Sequence, residues 1–254
     1  MRSIAFMFMI YDKINHESLW KSFFDQDKEK RHNLYIHYKE NLPLNFFESF
    51  KMNSTVPTKW GHISLVKAQG KLLEQALLND NNQHFAIVSN SCVPVKKFQH
   101  IFDFLDPEKS YINASSDQEV FPRADAATSF LQNDKIKKSH AWCILNRKHA
   151  QIMLDRESDL IQWFENVGAP EEFCYRTLIN ILDLNDEVVF THSEPYEGTT
   201  FVQWTSVGLT NFSTVSDEFL QKLIDSRCLF ARKFNPECDL SFLHRWHKIC
   251  STDG

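Results

Sequence analysis

The feature that most constrains this chain is its first apolar run, residues 4–11, closed at once by Asp12 and Lys13. Eight residues are too few to span a bilayer, which takes about 20 as a helix. Arg2 ahead of the run is faintly like a signal peptide, but no small-residue cleavage site follows. The run therefore reads as a buried strand. A segment of helical period, residues 17–24, comes straight after it. The same alternation then recurs: strands are expected over 33–38, 84–89, 111–112, 141–146, 188–191 and 201–205. Helices are expected over 64–78, 96–105, 147–154, 158–166, 171–182 and 217–226. The first of these places Leu65, Ala68, Leu72, Leu73, Ala76 and Leu77 on one face. Residues 113–138 are polar with little periodicity and read as a long excursion, and past Asp183 the pattern is mostly irregular. Strands alternating with helices predict an α/β open sheet with parallel strands. Ligands in such sheets sit beyond the carboxyl ends of the strands. Chemistry is therefore expected at 37–39, at 89–93 and after Asn146.

The 254 residues suit one domain over 1–254, and 22 Phe with 6 Trp supply ample apolar bulk for a core. A charge of −5 argues against a broad basic face for nucleic acid, while a local cationic pocket stays open. Cys92, Cys143, Cys174, Cys228, Cys238 and Cys250 form no C-x-x-C pair and read as reduced thiols. Sequons at Asn53, Asn113 and Asn211 are what an Asn-rich chain carries by chance.

Several signatures are missing. Only 6 Gly occur and none form a phosphate loop, and there is neither H-E-x-x-H nor G-x-S-x-G. His140, His149, His244 and His247 lack metal-ligand spacing and read as surface or satisfied core residues. The strand at 84–89 runs into Asn90-Ser-Cys-Val-Pro94 without a carboxylate. The alternatives, Asp103 with Asp106 and Asp183 with Asp186, fall in helical or post-helical contexts, which disfavours a Mg²⁺ or Mn²⁺ site.

Arg232 and Lys233, flanked by Leu229, Phe230 and Phe234, are either a solvated basic pair or a fixed cation for phosphate. Glu171 and Glu172 after Pro170 are either a helix-start signature or a proton acceptor. Trp60, Trp142 and Trp204 are core by default, although polar neighbours leave Trp204 able to stack on a sugar ring. Arg123, in the polar excursion, reads as a plain surface cation, with contact to a substrate the alternative.

Val88-Ser-Asn-Ser-Cys-Val-Pro94, Pro170-Glu-Glu-Phe173 and Leu229-Phe-Ala-Arg-Lys-Phe234 stand in one order with one set of spacings. Tyr35-Ile-His37, Trp60-Gly61 with Ser64-Leu-Val-Lys-Ala68, and Trp142-Cys-Ile-Leu-Asn-Arg147 fall in the same order. Together they resemble the core-2/I-branching glycosyltransferases, especially the plant Branch-type relatives, over roughly residues 4–240.

The resemblance implies a glycosyltransferase-A type sheet and a UDP-sugar donor carrying N-acetylglucosamine, xylose, glucuronic acid or a similar sugar. It implies a glycan acceptor, inversion at the anomeric carbon, and no metal or other cofactor. It places the base on Glu172, diphosphate contacts on Lys233 with Arg232 and His37, and sugar contacts on Trp204, Asn90, Ser91 and Arg123. A donor-binding half over about 1–115 and a catalytic half over about 116–254 follow. Two departures stand out. Lys39 replaces the animal members' Asp in the second-strand motif, and Thr210-Asn-Phe-Ser213 meets the position of their second phosphate-binding Arg. The animal members are membrane-anchored in the Golgi. This chain begins at its first strand and is expected to be soluble, without an anchor. A silent glycan- or nucleotide-sugar-binding protein on the same fold is the rival reading. A sugar nucleotidyltransferase would want a Gly-rich N-terminal loop.

Overall fold

A computed structural model describes residues 2–116, 119–191, 195–206 and 208–248. An interior strand, β1 (Ser3–Ile10), pairs in parallel with β2 (His32–Tyr38) on one side and β3 (Asn82–Ser89) on the other. Short strands β4 (Val93–Pro94), β5 (Ser110–Asn113), β6 (Ile144–Asn146) and β7 (Val188–Thr191) follow. The main sheet has the order β2-β1-β3-β6-β5-β7. It is parallel except at β6, which runs against both β3 and β5.

Alternation along β1 explains its place inside the sheet. Ala5 and Met7 face one buried cluster, while Ile4, Phe6, Phe8 and Ile10 face another. A strand that is apolar on both faces has to be covered on both. On the first face lie α2 (Ser64–Leu77), α4 (Arg147–Asp155), α5 (Glu157–Phe164) and α6 (Cys174–Ile181). On the second lie α1 (Glu17–Phe24) and α3 (Phe98–Phe104). Trp20 of α1 packs edge-on against Phe8 at 4.9 Å and lies parallel to Phe230 at 5.9 Å. Its indole N–H donates to Cys92 O at 2.9 Å, which pins the segment after β3.

A third cluster joins a small sheet, β4-β11-β8, to two helices. These elements are β8 (Thr200–Phe201), β11 (Phe230–Ala231), α7 (Asp217–Asp225) and α8 (Ser241–Lys248). The chain thus returns its Arg232-Lys233 pair to the edge of the main sheet.

The expected elements are present within a few residues, with three differences. The stretch expected as one strand over 201–205 is two, because β9 (Trp204–Thr205) leaves the small sheet to form a hairpin with β10 (Gly208–Leu209). Residues 170–172 form a single 3₁₀ turn before α6 rather than its first turn. Helix α8 was not expected. Its eight residues bury Leu243 and His247, too short a pattern to stand out.

His149 and His247 are satisfied core histidines. His149 Nδ1 bonds Ser110 Oγ at 2.7 Å, and His247 Nε2 bonds Pro94 O at 3.1 Å. Burial pushes the His247 imidazolium down to about 4. Cys92, Cys143, Cys174, Cys228 and Cys238 are free and buried, and Cys250 lies outside the described residues. Burial raises the Cys143 thiol to about 12, so it is inert at neutral pH. Asn113 is buried, with its amide bound to Thr200 O, Thr191 Oγ1 and Thr199 N, so the folded protein offers no glycosylation acceptor there.

Candidate active site

A cleft of about 1000 Å³ opens where β1, β2 and β3 end. Tyr11, His37, Lys39, Ser89 and Asn90 line its floor. This is where an open parallel sheet places its ligands. The stretch after Asn146 behaves otherwise. Because β6 is antiparallel, the residues before it, His140, Ala141 and Trp142, face the cleft. Those after it run to the opposite edge, where the Arg147 guanidinium donates to Leu77, Asn79 and Asn82 carbonyls.

One wall is built from two left-handed turns. Gly61 (φ 68°) and Ala169 (φ 53°) are joined by a bond from Ala169 N to Gly61 O of 3.0 Å. Past Pro170, which follows Ala169, come Glu171 and Glu172, both lining the cleft. Ion pairs hold Glu172: its Oε2 accepts from Arg123 Nη2 at 2.6 Å and lies 3.7 Å from Lys138 Nζ. Lys138 also binds Glu119 at 2.9 Å. Residues 113–138, featureless in sequence, therefore carry two cations to the carboxylate.

Glu171 is held differently. Its Oε2 is buried without a partner. Burial raises its carboxyl to about 7, Glu172's charge pushes the same way, and Arg123 opposes both. A carboxylate that changes protonation near neutrality is suited to proton transfer.

The facing wall carries Trp204, Arg232 and Lys233. The Arg232 guanidinium lies 4.1 Å from the Trp142 ring centroid, and its Nε is buried without a partner. Desolvation lowers the Lys233 pKa, and the neighbouring Arg232 charge lowers it further. Two adjacent, half-desolvated cations repel each other, and a bound anion relieves both. His140 contributes no charge nearby, since burial, reinforced by the Lys138 and Arg232 charges, takes its pKa down to about 4.

Of the residues singled out in the sequence, the cleft gathers His37, Asn90, Arg123, Glu172, Trp204, Arg232 and Lys233. Ser91 lies behind the wall. It is fully buried, and its carbonyl accepts from Phe234 N at 3.1 Å, bracing the strand end that presents the basic pair. His37 is largely buried as well, and its Nε2 accepts from Val56 N at 3.0 Å, so the ring also holds the 51–58 loop. Trp60 and Trp204 are not core: they are 91% and 58% exposed on the cleft's two walls. Sequence reasoning passed over Lys138, read His140 as a surface or satisfied core histidine, and left Glu171 beside Glu172 as either a helix-start residue or a proton acceptor, the family resemblance favouring Glu172. For Lys138 and His140 the signal was closeness to Glu172 in space, which no spacing reveals. Among the described residues no group of three or more His, Cys, Asp or Glu is gathered as metal ligands. Nor is any helix there long and apolar enough to cross a membrane.

A mostly parallel α/β sheet with cations and carboxylates lining a cleft at its strand ends is the layout of an α/β protein with a ligand site at its sheet's carboxyl edge. The family model described as Core-2/I-Branching enzyme matches residues 4–224, and the chain belongs to that family. Glycosyltransferase BC10 of Oryza sativa subsp. japonica is 27% identical over 165 residues, which is 62% of this chain and 41% of the rice protein. The chain thus spans well under half the length of that relative. Among solved structures, galactosyltransferase LgtC in complex with donor and acceptor sugar analogs has a TM-score of 0.46 at 8% identity, covering 90% of this chain and 86% of that one. The apo structure of the bifunctional glycosyltransferase WbbM has a TM-score of 0.44 at 10% identity, covering 98% of this chain and 50% of that one. Both are distant likenesses of overall shape. The expected open α/β sheet flanked by helices is the one found.

Proposed function

We propose that this protein is an inverting glycosyltransferase that moves a sugar from a UDP-sugar to a glycan hydroxyl without a metal ion. The observation that carries the reading is the juxtaposition across one cleft of Arg232-Lys233 with Glu171-Glu172. Family membership supplies the reaction class. The acceptor hydroxyl gives its proton to a carboxylate as its oxygen attacks the anomeric carbon. The bond from that carbon to UDP breaks, and its electron pair passes to the diphosphate, whose new charge Lys233 and Arg232 stabilise. Attack from the face opposite the leaving group inverts the centre. In this reading Tyr11, His37 and Asn90, at the strand ends, meet the donor, and Trp204 the acceptor.

Glu172 is the proton acceptor in this reading, with Arg123 and Lys138 holding it in place. A second reading gives that task to Glu171, favoured by its unpartnered buried oxygen and a pKa of about 7. Both place the proton on the same wall. The test is hydrolysis and transfer with a panel of UDP-sugars, using Lys233→Ala as the probe of the leaving-group site. The variant is expected to weaken UDP binding and lower turnover together, because the charge acts on ground and transition states alike. Unchanged UDP affinity and rate would show Lys233 to be a surface cation.

A further inference from the structure

Trp60 gives up the burial that a side chain of its size normally gains on folding, since 91% of it meets solvent. Its backbone is nevertheless held on both sides. Lys59 N donates to Ser64 Oγ at 2.9 Å, His62 N to Lys59 O at 3.2 Å, and Gly61 O receives Ala169 N at 3.0 Å. The last bond docks the Trp60 turn against the segment that carries Glu171 and Glu172, with two left-handed residues making the approach. A large aromatic surface on a fixed backbone, exposed inside a concave site, loses little conformational entropy when a ligand covers it.

The charge around it selects the ligand. An indole face also attracts cations, but Lys39, Arg123, Lys138, Arg232 and Lys233 line the same cleft and repel them. What remains is a flat, uncharged surface rich in C–H groups, as a pyranose ring presents. Trp204, 58% exposed, lines the same cleft and gives it a second exposed aromatic surface. At about 1000 Å³ the cleft is at the upper end of small-molecule sites and leaves room beyond a nucleotide-sugar.

We infer that Trp60 is a sugar-stacking residue that seats a second ring of the acceptor, so that the acceptor is a neutral oligosaccharide chain rather than a monosaccharide. The inference rests on the transferase reading for its word acceptor, but the binding it requires is separate from turnover.

The experiment is calorimetric titration of the protein with xylo-, cello- and chito-oligosaccharides of one to six units, with UDP present. Trp60→Ala and Trp60→Phe are compared with the wild type, and UDP-sugar hydrolysis is measured alongside. Wild-type affinity for at least one series is expected to rise from one unit to three. Trp60→Ala is expected to lose roughly tenfold or more for chains of two units and longer, with no change for the single sugar. Trp60→Phe should keep part of the gain, and UDP affinity should be the same in all three proteins. Equal oligosaccharide affinity in Trp60→Ala and wild type overturns the inference, as does failure of the wild type to bind any of the chains. If UDP-sugars are hydrolysed while no chain binds, only the Trp60 inference falls. If chains bind through Trp60 and no UDP-sugar is ever turned over, only the transferase reading falls.

Discussion

Two neighbouring glutamates with opposite surroundings pose the central question at the scale of the residue. Glu172 is ion-paired to Arg123 at 2.6 Å, while Glu171 has a buried oxygen without a partner and a pKa of about 7. If Glu172 takes the acceptor's proton, Glu172→Gln should lower transfer by roughly 10²–10⁴ while Glu171→Gln keeps most of the rate. If Glu171 takes it, the losses exchange, and the acidic limb of kcat/KM near pH 7 disappears in Glu171→Gln. Initial rates for both variants across pH separate the two. Stability provides an independent check. Glu171's folded pKa is raised above its unfolded value, so its contribution is fully present below about pH 4.5 and is lost as pH rises through about 7. Denaturant unfolding should therefore show Glu171→Gln gaining on the wild type between pH 5 and pH 8, by on the order of 1–3 kcal/mol. A constant difference across that range would show that the carboxyl titrates normally.

At the scale of the element, the site depends on how a few short connections are held. The turn at Gly61 is the clearest case, because its φ of 68° suits glycine and its carbonyl anchors Ala169 beside the glutamates. An added Cβ would have space, its nearest neighbour being Ala169 N at 3.8 Å, so the cost of Gly61→Ala is backbone strain alone. We expect a loss of about 1 kcal/mol or more in unfolding free energy, with a fall in transfer, since the wall bearing the base shifts with the turn. Unchanged denaturation midpoint and rate would mean that the two turns are not coupled. The reversed strand β6 shows why element direction matters. Read as parallel, it pointed to residues after Asn146. Run antiparallel, it delivers His140 and Trp142 to the cleft instead. Apolar content reveals that a stretch is a strand, and only its hydrogen-bonded neighbours decide which end faces the ligand.

At the scale of the whole molecule, the cationic wall bears on the metal question. No carboxylate follows β3 directly, and Arg232 and Lys233 line the cleft at the strand ends. Transfer activity is therefore expected to survive excess EDTA, and loss of activity with rescue by Mn²⁺ would overturn the cationic-wall account. Much of the architecture was legible beforehand. The runs at 4–11 and 84–89 are strands, and 17–24 is the helix α1 to the residue, because local apolar period and element length are properties of the chain itself. The pairing of Pro170-Glu-Glu with Leu229-Phe-Ala-Arg-Lys-Phe as two parts of one site was also readable, through their shared order in a known family. Several things were not. Trp60 looked like core because size and apolarity say nothing of which side of a turn faces solvent. Lys138 looked like one more charge in a polar stretch because its worth comes from a carboxylate 34 residues away along the chain. Ser91 looked like a contact because it follows a strand, yet it is buried behind the wall that it braces. The sequence by itself determined which segments become strands and helices and which family the chain joins, since both follow from residues close together along it. Only the tertiary structure decided strand direction at β6, the exposure of the two tryptophans and the contrast between Glu171 and Glu172. Each of those depends on burial and on charges brought together from distant parts of the chain.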